Sequence, residues 1–333
     1  MTTLIDRTRR PTRRAAVTLV ALFTSIAVVG FAITAILIVR STGASAESDP
    51  NVAWAISGVP VQVGAAPADV EAGGGFIWVS NSGDGTLTRI DPVSRATSTV
   101  VVGGQPGQIV VGEGAVWVRN LGDRITRVDL ASGAISPPLA AGSGPISGMA
   151  VGNGAVWLSH RDGGVVTRLD AHTLNVAGPP IRVGAAPGVM EFDDGAVFVL
   201  DAGDGSLSRI DAATANRTGT ASVGRQTGGL EVDRGDVYVA ADGGIVPVDA
   251  RSLTPRPPLP LEGLSYFEVH DGIVWVLYDE DARIERVDAA TGAPVGEPFP
   301  APTAEIGHAR FAFDHLWLTV PGRDEALVVG VAR

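Results

Sequence analysis

The 333-residue chain contains no cysteine and no lysine, and only 18 of its residues are aromatic by the 5% aromatic content. Without thiols there is no disulfide framework, no thiolate metal site and no cysteine nucleophile. Without lysine, every one of the 25 basic side chains is arginine. Beyond residue 40 there is also no stretch with a helical period, which excludes a helical bundle. The charge is unevenly spread. Residues 1–40 carry six arginines and one aspartate, which leaves 19 arginines against 35 acidic residues, a balance of −16, on residues 41–333. So acidic a body is unsuited to nucleic acid, whose phosphates need basic contacts, and to lying flat on anionic lipid.

What the chain does have begins with one long apolar run. Residues 15–39 hold 25 consecutive uncharged residues, a helix of about 37 Å that suffices to cross a hydrocarbon core of about 30 Å. Arg7, Arg9, Arg10, Arg13 and Arg14 precede it and Arg40 follows, so the positive-inside rule places residues 1–14 in the cytoplasm and the remainder outside. A cleavable leader is the competing reading, because Ala44–Ala46 (ASA) has the small residues of a cleavage site. The length of the apolar run favours a retained signal anchor. The expectation is a single-pass protein of the cell membrane: residues 1–14 as a cytoplasmic basic segment, 15–39 as transmembrane helix, 40–57 as linker and 58–333 as an extracytoplasmic domain.

That domain is repetitive. A short apolar strand with a central aromatic recurs around Trp78, Trp117, Trp157, Phe198, Tyr238, Trp275 and Trp317, spaced 37–42 residues apart. Each copy also carries an alternating segment before the aromatic strand, a strand ending in TRID, TRVD, TRLD or a variant after it, and a last extended segment running out through VG. Four short strands per 40-residue unit predict an all-β, seven-bladed β-propeller. The segment Val61–Gly64 (VQVG) has the sequence of a fourth strand with no blade before it, and the seventh copy stops after three. The first strand is therefore expected to complete the last blade and close the ring, leaving no sheet edge at the seam.

The unit P-x-x-(I/V)-x-x-G-x-G-x-(I/V)-W-V…G-x-(V/L)-T-R-(I/V)-D, over roughly residues 58–333, resembles the YVTN and virginiamycin B lyase-like propellers of bacteria. That resemblance implies a ligand site on the loop face or in the central channel. For the lyases it implies histidine, glutamate and magnesium opening a cyclic ester by elimination, with a His or Glu after each repeat proline and a Glu after the Trp strand. Here Ala68, Gly107, Ile146 and Gly188 follow the prolines, and no Glu stands three residues after an aromatic.

Two sets of positions carry chemistry. Seven residues before each aromatic stand Glu71, Val110, Ala150, Glu191, Glu231, Glu268 and Arg310, flanked on both sides by apolar residues. Side chains alternate along a strand, so four carboxylates and one guanidinium are expected to approach the channel of the ring. Asp69, Gln108, Tyr266 and His308, two residues earlier, join them nearer the loops. Carboxylates gathered in this way need a cation, an arginine or raised pKa values. The functional reading is a site for a cationic ligand or for calcium or magnesium, hard ions that prefer carboxylate oxygens; the alternative is a solvated or internally hydrogen-bonded cluster. Three residues after the aromatics stand Asn81, Asn120, His160 and Asp201, expected to open loops on the binding face unless they satisfy turn backbone. The repeated Asp of TRID is expected to cap turns. Glu268-x-His270 lacks a third ligand, and no catalytic residue is assigned. Together these features favour a membrane-anchored binding module for a protein, an envelope polymer or a small ligand, with a metal-dependent lyase or hydrolase as the alternative.

Overall fold

The computed structural model describes residues 47–140, 144–301, 303 and 305–332. The chain divides into two units, Met1–Gly43 and Ala44–Arg333. The first unit, and with it the expected membrane helix at 15–39, lies outside the described residues. Among the described residues no helix is long and apolar enough to cross a membrane.

The second unit is a seven-bladed β-propeller. Its seven sheets are antiparallel, and the innermost strands run Pro67–Gly73, Pro106–Gly112, Gly148–Gly152, Pro187–Asp193, Gln226–Asp233, Tyr266–His270 and Ala309–Ala312. Each inner strand lies beside the next, and the last lies beside the first. Two-residue turns join the inner strand of each blade to the aromatic strand. In Gly74–Gly75, Glu113–Gly114, Asn153–Gly154, Asp194–Gly195, Arg234–Gly235 and Asp271–Gly272 both residues have positive φ, and Phe313–Asp314 does the same without glycine. Two positive φ values make a type I′ turn, whose twist matches that of the strands it joins, which explains the recurrent x-Gly pair.

The aromatics hold the blades together. Trp117, Trp157, Trp275 and Trp317 are fully buried, and each packs on apolar residues of the following blade. Trp157 meets Met190, Val197 and Val199, and Trp317 crosses the seam to Val70, Ile77 and Val79 of the first blade. Their indole N–H groups do not go unpaired: Trp78, Trp117, Trp157 and Trp317 donate to the carbonyl oxygens of Gly73, Gly112, Gly152 and Ala312 at 3.1–3.3 Å. The repeated aspartates cap the turn after the third strand. Asp129 Oδ1 accepts from the backbone N–H groups of Ala131 and Ser132, and Asp288 Oδ1 from those of Ala290 and Thr291.

The N-terminal latch is present and longer than VQVG. Val61–Gln62 pairs with Glu325–Ala326, and a second piece, Trp54–Ile56, pairs with Val329–Val331 of the same last strand. The expected linker at 40–57 thus supplies half of the closing strand. The reason is Trp54, which fills a pocket against Trp275 at a ring-centroid distance of 4.7 Å and against Phe311 at 6.3 Å. Blade five departs from the four-strand pattern. Its fourth position is taken by a proline-rich segment that makes only the bridges Ile245 to Leu259 and Val248 to Pro255, because Pro255, Pro257, Pro258 and Pro260 have no N–H to give to a ladder.

Candidate functional site

The ring of inner strands brings the charged positions together. Every residue expected at the channel is the register partner of its blade's aromatic: Glu71 of Trp78, Glu191 of Phe198, Glu231 of Tyr238, Glu268 of Trp275 and Arg310 of Trp317. Arg310 is the hub. Its Nε lies 3.3 Å from Glu71, and its Nη1 lies 3.5 Å from Glu231 and 3.7 Å from Glu268. Glu268 Oε1 also accepts from the backbone N–H of Phe311 at 3.0 Å, while its Oε2 is buried without a protein partner. Glu191 makes no ion pair with Arg310 at contact distance; the two interact only through the field.

One guanidinium cannot neutralise four carboxylates, and burial decides the rest. Burial pushes Glu71 up to about 7 in spite of the opposing charge of Arg310. It pushes Glu191 up to about 8. Glu231 rises through burial and the neighbouring Glu268, and Glu268 rises through burial. Arg310 is held charged, well above its ordinary value, first by Glu71. Near neutral pH the cluster therefore shares protons among its carboxylates.

Two residues nearer the loops, a second layer crosses the seam between the last blade and the first. His308 Nδ1 lies 2.8 Å from Asp69 Oδ1. Asp69 also accepts from the backbone N–H of Val70 and, through Oδ2, from that of Ile109 in the next blade, both at 2.8 Å. The Tyr266 hydroxyl lies 3.2 Å from His308 Nε2 and donates to the carbonyl of Ala309. Burial lowers the His308 pKa, yet Asp69 outweighs it and the net direction is up. Gln108 joins blades two and three: its amide donates to the carbonyl of Met149 and accepts from the N–H of the same residue. These two layers line a cavity of about 230 Å³, whose wall includes Asp69, Glu71, Gln108, Glu191, Glu231, Tyr266, His308 and Arg310. Among the described residues, no group of three or more histidine, aspartate or glutamate side chains is placed to hold a metal ion. Arg310 occupies the centre where such an ion would collect the carboxylates.

The second set of expected site residues is placed elsewhere. Asn81, Asn120, His160 and Asp201 end the aromatic strands and are buried, from 0% to 7% exposed, rather than presented on loops. Each turns inward to a hydroxyl of the adjacent strand. Asn81 Nδ2 donates to Thr86 and Thr88, and Asn120 Nδ2 to Thr126 at 2.9 Å. His160 Nε2 lies 2.8 Å from Thr167 Oγ1 while its Nδ1 meets the carbonyl of Gly144. Asp201 accepts from Ser208 at 2.6 Å, and burial pushes its pKa up to about 6. These side chains tie strand to strand and do not face the cavity. The signal was in the repeat: a Thr or Ser stands six or seven residues further on, just before the Arg of TRID.

A buried polar cluster that the repeat did not announce lies at the other end of the strands. Glu47 is 6% exposed, its carboxylate 3.0 Å from His270 Nδ1 and accepting from Trp275 Nε1 at 3.3 Å. Arg286 donates to the carbonyls of Glu47 and Val52, and the His270 ring stacks on Phe311. The expected Glu268-x-His270 pair is thereby split. Glu268 serves the channel and His270 docks the N-terminal segment.

No protein-family model matches the chain, and no curated protein does. Among solved structures the fold is widely shared. Virginiamycin B lyase from Staphylococcus aureus superposes with a TM-score of 0.69 at 12% identity, covering 84% of this chain and 100% of that one. The WD40 domain of Neurospora crassa Pan2 gives 0.68 at 10% identity over 86% and 97%. BamB from Moraxella catarrhalis gives 0.58 at 16% identity over 81% and 85%. At such identities the likeness is one of fold. The β-propeller with its neighbours among the virginiamycin B lyases is the architecture expected from the repeat.

Proposed function

We propose that this chain is a membrane-anchored, extracytoplasmic β-propeller that acts as a binding module, taking a small organic cation at the mouth of its channel. The observation that carries this reading is the imbalance around Arg310, where Glu71, Glu231 and Glu268 share one guanidinium and Glu191 stands by without a contact to it, beside a cavity of about 230 Å³. Buried carboxylates held up to about 7 and 8 cost the fold stability, and clusters of this kind concentrate at functional sites. A primary ammonium or guanidinium group gives these oxygens directional hydrogen bonds as well as charge. A bare calcium or magnesium ion fits less well, since among the described residues no group of three or more histidine, aspartate or glutamate side chains is placed to hold one. The anchor is the apolar run at 15–39, and the propeller face is the surface offered to a protein or envelope partner.

The test is calorimetric titration of the purified full chain with agmatine, putrescine and arginine amide, alongside calcium and magnesium chloride. Saturable binding of an amine that Glu191→Gln with Glu231→Gln removes supports the reading. Binding of none of these probes, or undiminished binding in the double variant, overturns it. A metal-dependent rise in melting temperature that the same variant abolishes shifts the ligand to a divalent ion.

One observation favours a second reading as a lyase or hydrolase. His308 is held by Asp69 at 2.8 Å on the cavity wall, the arrangement that orients a general base. Incubation with a cyclic depsipeptide of the streptogramin B type, followed by mass spectrometry, decides it: a linear product lost in His308→Ala establishes catalysis, and an unchanged substrate leaves binding alone.

A further inference from the structure

The outer rim between blades three and four carries a groove of about 440 Å³ in which three arginines meet: Arg168, Arg182 and Arg217. Arg168 is the arginine of the repeated TRLD, and its place in the groove is built. Its Nε donates to the carbonyl of Ala177 at 3.2 Å, and its guanidinium lies over the Trp157 ring at 5.7 Å. That fixes the Arg168 guanidinium in the wall of the groove. Arg182 and Arg217 are exposed, and neither forms an ion pair among the described residues. No carboxylate lines this groove; Thr214, Asn216 and the faces of Pro179 and Pro180 complete it. The repeat aspartates of the two blades, Asp170 and Asp211, are each turned into their own turns: Asp170 accepts from the N–H groups of His172 and Thr173, and Asp211 from the N–H and hydroxyl of Thr214.

The other blades give the internal comparison. The equivalent arginine of blade two, Arg127, lies over its tryptophan in the same way but pairs with Asp129 at 2.8 Å. The groove between blades four and five holds three arginines as well, Arg209, Arg234 and Arg251, but Asp193, Asp194 and Asp249 line it with them. On a body whose balance is −16, this groove gathers three guanidiniums with no carboxylate in its wall. Guanidinium forks match the oxygens of a phosphate group two at a time, and three of them around one pocket match its charge better than that of a single carboxylate.

We propose that the groove formed by Arg168, Arg182 and Arg217 is a phosphate-binding site, taking either the free ion or a phosphate borne on an ester. It is separate from the channel, on the rim rather than at the axis, so the two sites can be tested apart. The probes are inorganic phosphate and glycerol 3-phosphate, titrated calorimetrically into the full chain against sodium chloride and sodium acetate of equal ionic strength. Saturable binding of phosphate is expected, weakened about tenfold or more by Arg182→Gln with Arg217→Gln. Thr214→Asp, which supplies the carboxylate that the groove between blades four and five already has, is expected to weaken it similarly. Both variants change exposed residues, and an unchanged melting temperature shows that they fold. Glu191→Gln should leave phosphate binding untouched. Binding of both probes assigns an ester-borne group, and binding of inorganic phosphate alone assigns the free ion. Equal responses to phosphate, acetate and chloride, or wild-type affinity in the double variant, overturn the proposal.

Discussion

Replacing Glu191 by glutamine should make the protein more stable, and more so the higher the pH. Glu191 has no ion-pair partner at contact distance, and burial pushes it up to about 8, while in the unfolded chain it titrates near the ordinary glutamate value of about 4.3. Between those two values the folded state holds a proton that the unfolded state has released, so stability falls as pH rises through the window. The whole difference corresponds to roughly 5 kcal/mol. Glu191 keeps part of its surface exposed and Arg310 favours the charged form, so the effect expected of the isosteric amide is about 1–2 kcal/mol at pH 9. At pH 4 the variant and the wild type should be equally stable. For a domain of this size each kcal/mol moves the melting point by about 2–4 °C, so thermal unfolding at pH 4, 6, 7.5 and 9 resolves it. Parallel curves for the two proteins, or a variant less stable at pH 9, would refute the account of a glutamate kept ionisable at a cost to the fold.

Arg310→Met removes the one cation that, among the described residues, contacts Glu71, Glu231 and Glu268 and should cost about 3 kcal/mol at pH 8, shrinking at pH 5 where those carboxylates are protonated; urea unfolding at the two pH values measures both. Deleting Met1–Gly64 removes both pieces of the closing strand and should destabilise the ring far more than deleting Met1–Gly43, which leaves Trp54–Ile56 and Val61–Gln62 in place; equal melting points would contradict closure by this strand. The Glu47 hydrogen bond raises His270 above its ordinary value, so the stability contributed by that pair is complete below about 6.5 and is lost as pH rises through the folded-state value. Unfolding of His270→Gln should lack this loss. His160→Ala breaks the contacts to Thr167 and Gly144 and should cost about 1–2 kcal/mol while leaving channel binding unchanged in the calorimeter.

The architecture was open to reading because each blade repeats the same physical problem, and comparison among copies exposes its solution. Trp117 and Trp157 recur because each blade needs one large side chain against its neighbour, and the glutamates at Glu71, Glu191, Glu231 and Glu268 stood out against the apolar residues on either side of them. Asn81, Asn120, His160 and Asp201 misled because their variety suggested a surface. They vary because several polar groups can reach the same buried hydroxyl, and Thr88, Thr126, Thr167 and Ser208 were the constant half of the pair. Glu47 and Trp54 precede the first repeat and have no copies with which to be compared. Only the folded chain sets them beside Trp275. The arginine groove escaped for a related reason, since Arg182 and Arg217 belong to different blades and meet only when those blades pack.

The closing strand also sets a clock. Trp54–Ile56 and Val61–Gln62 are made before every blade, and their partner Glu325–Val331 is the last strand of the ring to be made. Some 270 residues separate the two halves of that pairing, a separation that makes folding slow. Until that strand arrives, Trp54–Ile56 and Val61–Gln62 have no ladder to join and the seam carries raw edges. A propeller cut short anywhere in its final blade therefore leaves its first strand without a partner. Only a complete seventh blade lets the ring cover its own first strand.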